Sequence, residues 1–151
     1  MNYAKNKTPL VILAGSDYGM GSSRDWAAKG TALLGVRAVI AKSFERIHRS
    51  NLIGMGVIPF QFKEEPSSIK GNEIVEIPIN EDLKPLSEIE ATLIDPLSGQ
   101  KKTLKLLCRV DTAAELEYLR AGGILPFVFK ELSSKAKNPF DSILKWFKLG
   151  R

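Results

Sequence analysis

The residues best equipped for chemistry in this 151-residue chain lie in one run, Gly15-Ser16-Asp17-Tyr18-Gly19-Met20-Gly21-Ser22-Ser23-Arg24-Asp25-Trp26. Glycines at 15, 19 and 21 leave the main chain bare, so a ligand can approach its N–H groups closely. Ser22 and Ser23 supply adjacent hydroxyls of a type that favours a helix start. The first turn of such a helix offers free N–H groups at the positive end of the dipole, which together attract an anion. Asp25 suits that position. Arg24 does not, because a fixed cation there opposes the dipole unless a negative group satisfies both. Ser-Ser-Arg-Asp alone reads equally well as ordinary capping, and the whole run is far more specific than its parts.

The elements that must position this run follow from periodicity. Leu10-Val11-Ile12-Leu13-Ala14 is an apolar stretch too short for a buried helix and reads as a core strand, whereas Asp25 to Leu34 has helical apolar spacing. Gly35 makes a stop, and Arg37-Ala38-Val39-Ile40-Ala41 reads as a second strand. A second helix is expected from about Ser43, with Phe44, Ile47, Asn51, Leu52 and Met55 on or near its buried face. Arg46, His48 and Arg49 then fall on the other side. Arg46 has Glu45 beside it as a partner, and the two arginines are left between a solvated face and a functional one. Gly56 to Phe62 is a third strand, so strand-helix-strand-helix-strand argues for a parallel core.

Beyond a polar loop from Lys63 to Gly71 the period changes to two. Val75, Ile77 and Ile79, then Ile89, Ala91 and Leu93, alternate with polar residues or proline. Asp95-Pro96-Leu97-Ser98-Gly99 is a turn, and Leu104, Leu106, Cys108 and Val110 form the returning strand, so this half is antiparallel β. Cys108 points with leucines and reads as a core residue rather than a reactive thiol. Thr112 and Glu115 fit a capping box for a helix through Leu116 and Leu119 that Gly122-Gly123 would end. Ile124 to Leu132 reads as a further short helix beginning near Pro126. The chain thus divides into a domain at 1–132 and a tail at 133–151. In the tail, a linker to Pro139 precedes Phe140, Ile143, Leu144 and Phe147 at i, i+3, i+4 and i+7, with Lys145, Lys148 and Arg151 outside the stripe. Such a short basic amphipathic helix docks on its own domain, meets a partner or touches an anionic membrane.

Composition narrows the classes. The net charge is +5, but from residue 130 onward six basic residues face two acidic ones, a net of +4, which leaves the rest near +1. The basic character therefore belongs mostly to the tail and argues against a nucleic-acid face on the globular part. One cysteine allows no internal disulfide, and there is neither a signal peptide nor an apolar run near 18 residues, so a reducing, cytoplasmic setting is expected.

Ile12-Leu13-Ala14-Gly15 with Tyr18-Gly19-Met20-Gly21-Ser22-Ser23-Arg24-Asp25-Trp26-Ala27-Ala28-Lys29-Gly30 resembles the C-terminal swivel domain of aconitase. Lys42-Ser43-Phe44-Glu45-Arg46-Ile47-His48-Arg49-Ser50-Asn51-Leu52 and Gly54-Met55-Gly56-Val57-Ile58-Pro59 carry the same resemblance, which points to the branch holding aconitase A and the iron regulatory protein. With Asp111-Thr112 and Ala121-Gly122-Gly123-Ile124-Leu125 it spans roughly residues 9 to 130. The resemblance implies an α/β swivelling β/β/α-type domain and a hydro-lyase of the tricarboxylic acid cycle that interconverts citrate and isocitrate through cis-aconitate. By the same resemblance, Ser22 is the base, and Ser23 and Arg24 hold substrate carboxylates. It also implies a 4Fe-4S cluster bound by three cysteines of other domains. This chain has one cysteine and would hold neither cluster nor metal. The expected partners are a tricarboxylate and the cluster-bearing domains, in cis or in trans, with no membrane. No family catalytic group falls at His48, the sole histidine, which is not assigned acid–base work. The alternatives are a 2-methylcitrate/2-methylisocitrate dehydratase, an isopropylmalate isomerase small subunit and, from another class, an RNA-binding module like the iron regulatory protein.

Overall fold

The computed structural model describes residue 6 and residues 8–64, 69–80 and 83–135. The stripe at Phe140–Phe147 and the rest of the tail beyond Lys135 lie outside them. The first half alternates strand and helix: β1 (Leu10–Ala14), α1 (Arg24–Leu33), β2 (Val36–Ala41), α2 (Arg46–Gly54) and β3 (Ile58–Phe62). β1 pairs with β2 and β2 with β3, both in parallel, and each pair is joined by a helix because a parallel connection must cross back over the sheet. The second half supplies β4 (Ile74–Glu76), β5 (Glu88–Ile94) and β6 (Lys101–Cys108), all antiparallel. β6 docks antiparallel on β3, with Phe60 opposite Cys108, so the two halves share one mixed sheet in the order β1-β2-β3-β6-β5-β4. This is the α/β class expected, a parallel strand–helix core followed by an antiparallel portion and C-terminal helices.

Strand alternation divides the interior in two. Val11 and Leu13 pack with Ala38, Ile40, Phe60, Leu104, Leu106 and Cys108, while Leu10 and Ile12 pack with Val39, Val57, Ala28 of α1 and Leu52 of α2. Cys108 is fully buried, as its leucine neighbours indicated. The β5–β6 turn is held by Asp95, whose carboxylate accepts the N–H groups of Leu97 and Ser98.

α2 departs from expectation. It begins at Arg46 with Glu45 as its cap, because Ser43 to Glu45 is drawn into backbone bonds with the glycine-rich loop instead. Its buried residues are His48, Arg49, Leu52 and Ile53, and Ile47 is exposed. Arg49 is therefore not on a solvated face. It is only 7% exposed because Glu115 takes both its terminal nitrogens, at 3.0 and 2.8 Å, and the Arg109 carbonyl accepts from Nη1 at 2.7 Å.

Glu115 belongs to α3 (Ala113–Arg120), whose Thr112 cap accepts from the Glu115 N–H at 3.2 Å, as the spacing indicated. α4 (Ile124–Lys135) follows, three residues longer than expected. Between them Gly123, at φ +127°, brings its backbone against α2: a Cβ there would lie 2.6 Å from the Gly54 carbonyl oxygen.

Candidate functional site

Parallel β1 and β2 place their carboxyl ends side by side, so the loop leaving each strand lies beside the other. Three backbone bonds stitch them: Lys42 N–H to Gly15 O at 3.1 Å, Tyr18 N–H to Ser43 O at 3.0 Å and Glu45 N–H to Tyr18 O at 3.0 Å. Asp17, at φ +53°, adds a side-chain clasp. Its N–H donates to Ser43 Oγ at 2.7 Å, and that hydroxyl donates to Asp17 Oδ1 at 3.0 Å. Tyr18 packs edge-on against Phe44 and His48, and Gly19 lies directly over the His48 side chain. The glycine-rich loop is thus seated on the first turn of α2.

Ser22 and Ser23 sit at the exposed rim of this seat. Ser23 occupies the cap position of α1, yet its side chain makes no capping bond and its backbone, at φ −92° and ψ 58°, lies outside the usual cap conformation. Ser22 Oγ likewise has no hydrogen-bond partner among the described residues. The first backbone bond of the helix runs from Ala27 N–H to Ser23 O, which leaves the N–H groups of the preceding turn open.

Arg24 is the first residue of α1, and its misfit with the helix dipole is resolved within the protein. Glu45 Oε1 lies 3.3 Å from its Nη1, and Nε donates to Gly21 O at 3.1 Å. An external anion is therefore not required to balance this cation, which corrects the simplest form of the sequence inference. About a third of the side chain remains exposed, and Nη2 has no hydrogen-bond partner among the described residues. The structure brings Ser22, Ser23 and Arg24 to one helix start.

Glu45, Ser43, Tyr18 and His48 complete the seat, and sequence reasoning did not assign them to it. Glu45 was weighed as a partner of Arg46 and instead pairs with Arg24. A signal existed: an arginine in a first helical turn needs a carboxylate, and parallel strands bring 43–45 beside 15–23. His48 is 2% exposed, and its Nδ1 donates to the Arg24 carbonyl at 3.1 Å, which satisfies that nitrogen in its buried place.

A model of the Aconitase C-terminal domain family matches residues 1–65, the stretch that carries this seat. Over 138 residues the chain is 53% identical to "Aconitate hydratase A" of Legionella pneumophila, covering 89% of this chain and 15% of that protein. The chain is thus similar to the aconitase C-terminal domain family. A second relative, "Aconitate hydratase A" of Bacillus subtilis, is 50% identical over 135 residues, covering 87% of this chain and again 15% of the relative. The chain therefore spans about 15% of the length of the relatives it matches. Among solved structures, it is similar to the 3-isopropylmalate dehydratase of Methanocaldococcus jannaschii, with a TM-score of 0.54, 29% identity, and 83% of this chain and 68% of that chain covered. Among the described residues, no helix is long and apolar enough to cross a membrane, and no group of three or more His, Cys, Asp or Glu gathers that could hold a metal ion.

Proposed function

We propose that this chain is the C-terminal part of an aconitate hydratase-type hydro-lyase that interconverts citrate and isocitrate through cis-aconitate. It supplies half of the active site and is inactive without the remaining domains. In this reading Ser22 is the base that takes a proton from the substrate carbon, and Ser23 and Arg24 hold substrate carboxylates. The observation that supports it is the unspent start of α1: a serine at the cap position that does not cap, a second free hydroxyl before it, and an arginine with open N–H donors after it. A tricarboxylate satisfies all three. A serine hydroxyl is a weak base in water, so Ser22 needs positive surroundings, and the helix N-terminus with Arg24 supplies them.

The aconitase resemblance also implies a 4Fe-4S cluster on three cysteines. The residues of this chain do not fit it, since the one cysteine is buried in the sheet core, so no step is drawn through the cluster and it is assigned to domains in cis or in trans. Met20 in the loop and Trp26 just after it are exposed.

The test combines this chain with cluster-bearing aconitase domains and follows isocitrate conversion to cis-aconitate by absorbance. Activity should appear only in the mixture. Ser22→Ala should lower it by about 10²–10⁴-fold, the usual range for a positioned base. Turnover unchanged by Ser22→Ala would defeat the assignment. The isopropylmalate dehydratase likeness favours one further reading, so isopropylmalate is assayed beside citrate, with 2-methylcitrate as the third substrate.

A further inference from the structure

Arg24 is held at three points by groups outside its own helix turn. Its carbonyl accepts from His48 Nδ1 at 3.1 Å, its Nε donates to Gly21 O at 3.1 Å, and its Nη1 lies 3.3 Å from Glu45 Oε1. Glu45 is itself fixed. Its second oxygen, Oε2, accepts the His48 N–H at 2.8 Å as the cap of α2, its own N–H donates to the Tyr18 carbonyl, and its side chain is 19% exposed. One carboxylate thus closes a circuit between the start of α1 and the start of α2.

We infer that Glu45 is the positioning residue of the carboxylate site, anchoring Nη1 of Arg24 so that the free Nη2 N–H groups are held ready for an incoming carboxylate; this rests on the reading of Arg24 as a carboxylate ligand. The chemistry requires a carboxylate of this length. Both oxygens face donors, Arg24 on one side and the His48 amide on the other. A glutamine has a single acceptor oxygen, so it either uncaps α2 or turns an amide N–H toward the guanidinium. Aspartate caps a helix as well as glutamate does but is one methylene too short to reach Arg24 from the same backbone.

The sign of the effect separates positioning from charge. Glu45 is an anion beside an anion site, so on Coulomb attraction alone its removal strengthens citrate binding. Positioning predicts the reverse. The experiment titrates citrate against this chain and its Glu45→Asp, Glu45→Gln, Glu45→Ala and Arg24→Ala variants. The Arg24 Nε–H signal is followed by NMR in each, and unfolding curves confirm that each variant folds.

The expected result is a citrate affinity about three- to tenfold weaker in all three Glu45 variants, with the Arg24 Nε–H signal lost to solvent exchange. Glu45→Asp carries the test if the other two fold poorly, because it keeps the cap. Arg24→Ala combined with Glu45→Ala should bind no more weakly than Arg24→Ala alone, because Glu45 acts only through Arg24. Tighter or unchanged citrate binding in the Glu45 variants, with Arg24→Ala weakened, overturns the inference, as does a persistent Nε–H signal. If Arg24→Ala leaves citrate binding unchanged, the carboxylate reading falls instead, and loss of the Nε–H signal in the Glu45 variants still establishes that Glu45 anchors Arg24.

Discussion

Replacing Gly19 with alanine tests the contact that seats the glycine-rich loop on α2. Gly19 sits at φ +95°, and a Cβ added there falls 2.2 to 2.4 Å from the Cδ2, Cγ and Cβ atoms of His48. The ring cannot swing into solvent, because it is 2% exposed and tied through Nδ1 to the Arg24 carbonyl. Two costs add. Placing a Cβ at positive φ costs about 1–2 kcal/mol, and forcing a side chain into a packed interior costs about 1–3 kcal/mol. Together they amount to about 2–5 kcal/mol, or a fall of roughly 5–15 °C in Tm for a domain of this size. Urea and thermal unfolding followed by circular dichroism measure it. Adding His48→Gly, which takes away the Cβ at 2.4 Å as well as the ring, removes the clash but not the backbone strain, so the double mutant should recover about 1–3 kcal/mol relative to the sum of the singles. Strict additivity, or a Gly19→Ala melt within about 2 °C of the parent, would refute the packing argument.

Two more outcomes follow from the buried charges and thiol. Burial alone would raise the Glu115 pKa, but the Arg49 hydrogen bond and the Asp111 and Thr112 amides outweigh it and hold the carboxyl below its ordinary value. Its contribution is therefore complete above the unfolded carboxylate range, near about 4.3, and is lost as pH falls through the lower folded value. Glu115→Gln should cost about 3 kcal/mol at neutral pH, the low end for a broken buried pair because Asp111 still lies 3.5 Å from Arg49 Nε. The gap between parent and variant in urea unfolding should close as pH drops below about 4, and a gap that stays constant into acid would count against the pairing. Burial also pushes the Cys108 thiol up, so a thiol reagent should label the chain at one site in urea and only slowly in the native state. Prompt native labelling would contradict its place in the core.

Local periodicity was enough for the strands and helices of this domain because each carries its own signal. Leu10 to Ala14 and Arg37 to Ala41 are apolar runs of strand length, and Thr112 with Glu115 marks a helix start whatever surrounds it. Ser22, Ser23 and Arg24 could be placed at the start of α1 for the same reason, since loop, cap and first turn are contiguous. What the sequence left open were relations between segments far apart in the chain. The phase of α2 could not be read because Ser43 to Glu45 is claimed by the loop after β1, a contact that exists only once β1 and β2 pair in parallel. Arg49 was left open between a solvated face and a functional one because its partners, Glu115 and the Arg109 carbonyl, come more than fifty residues later. Arg24 looked like a cation awaiting a ligand because Glu45 stands 21 positions away. The amino-acid sequence by itself determined the local elements and placed the candidate anion-binding residues at the start of one of them. Only the tertiary structure decided which of those charges were already spoken for, because burial and pairing depend on which distant backbone the sheet brings alongside.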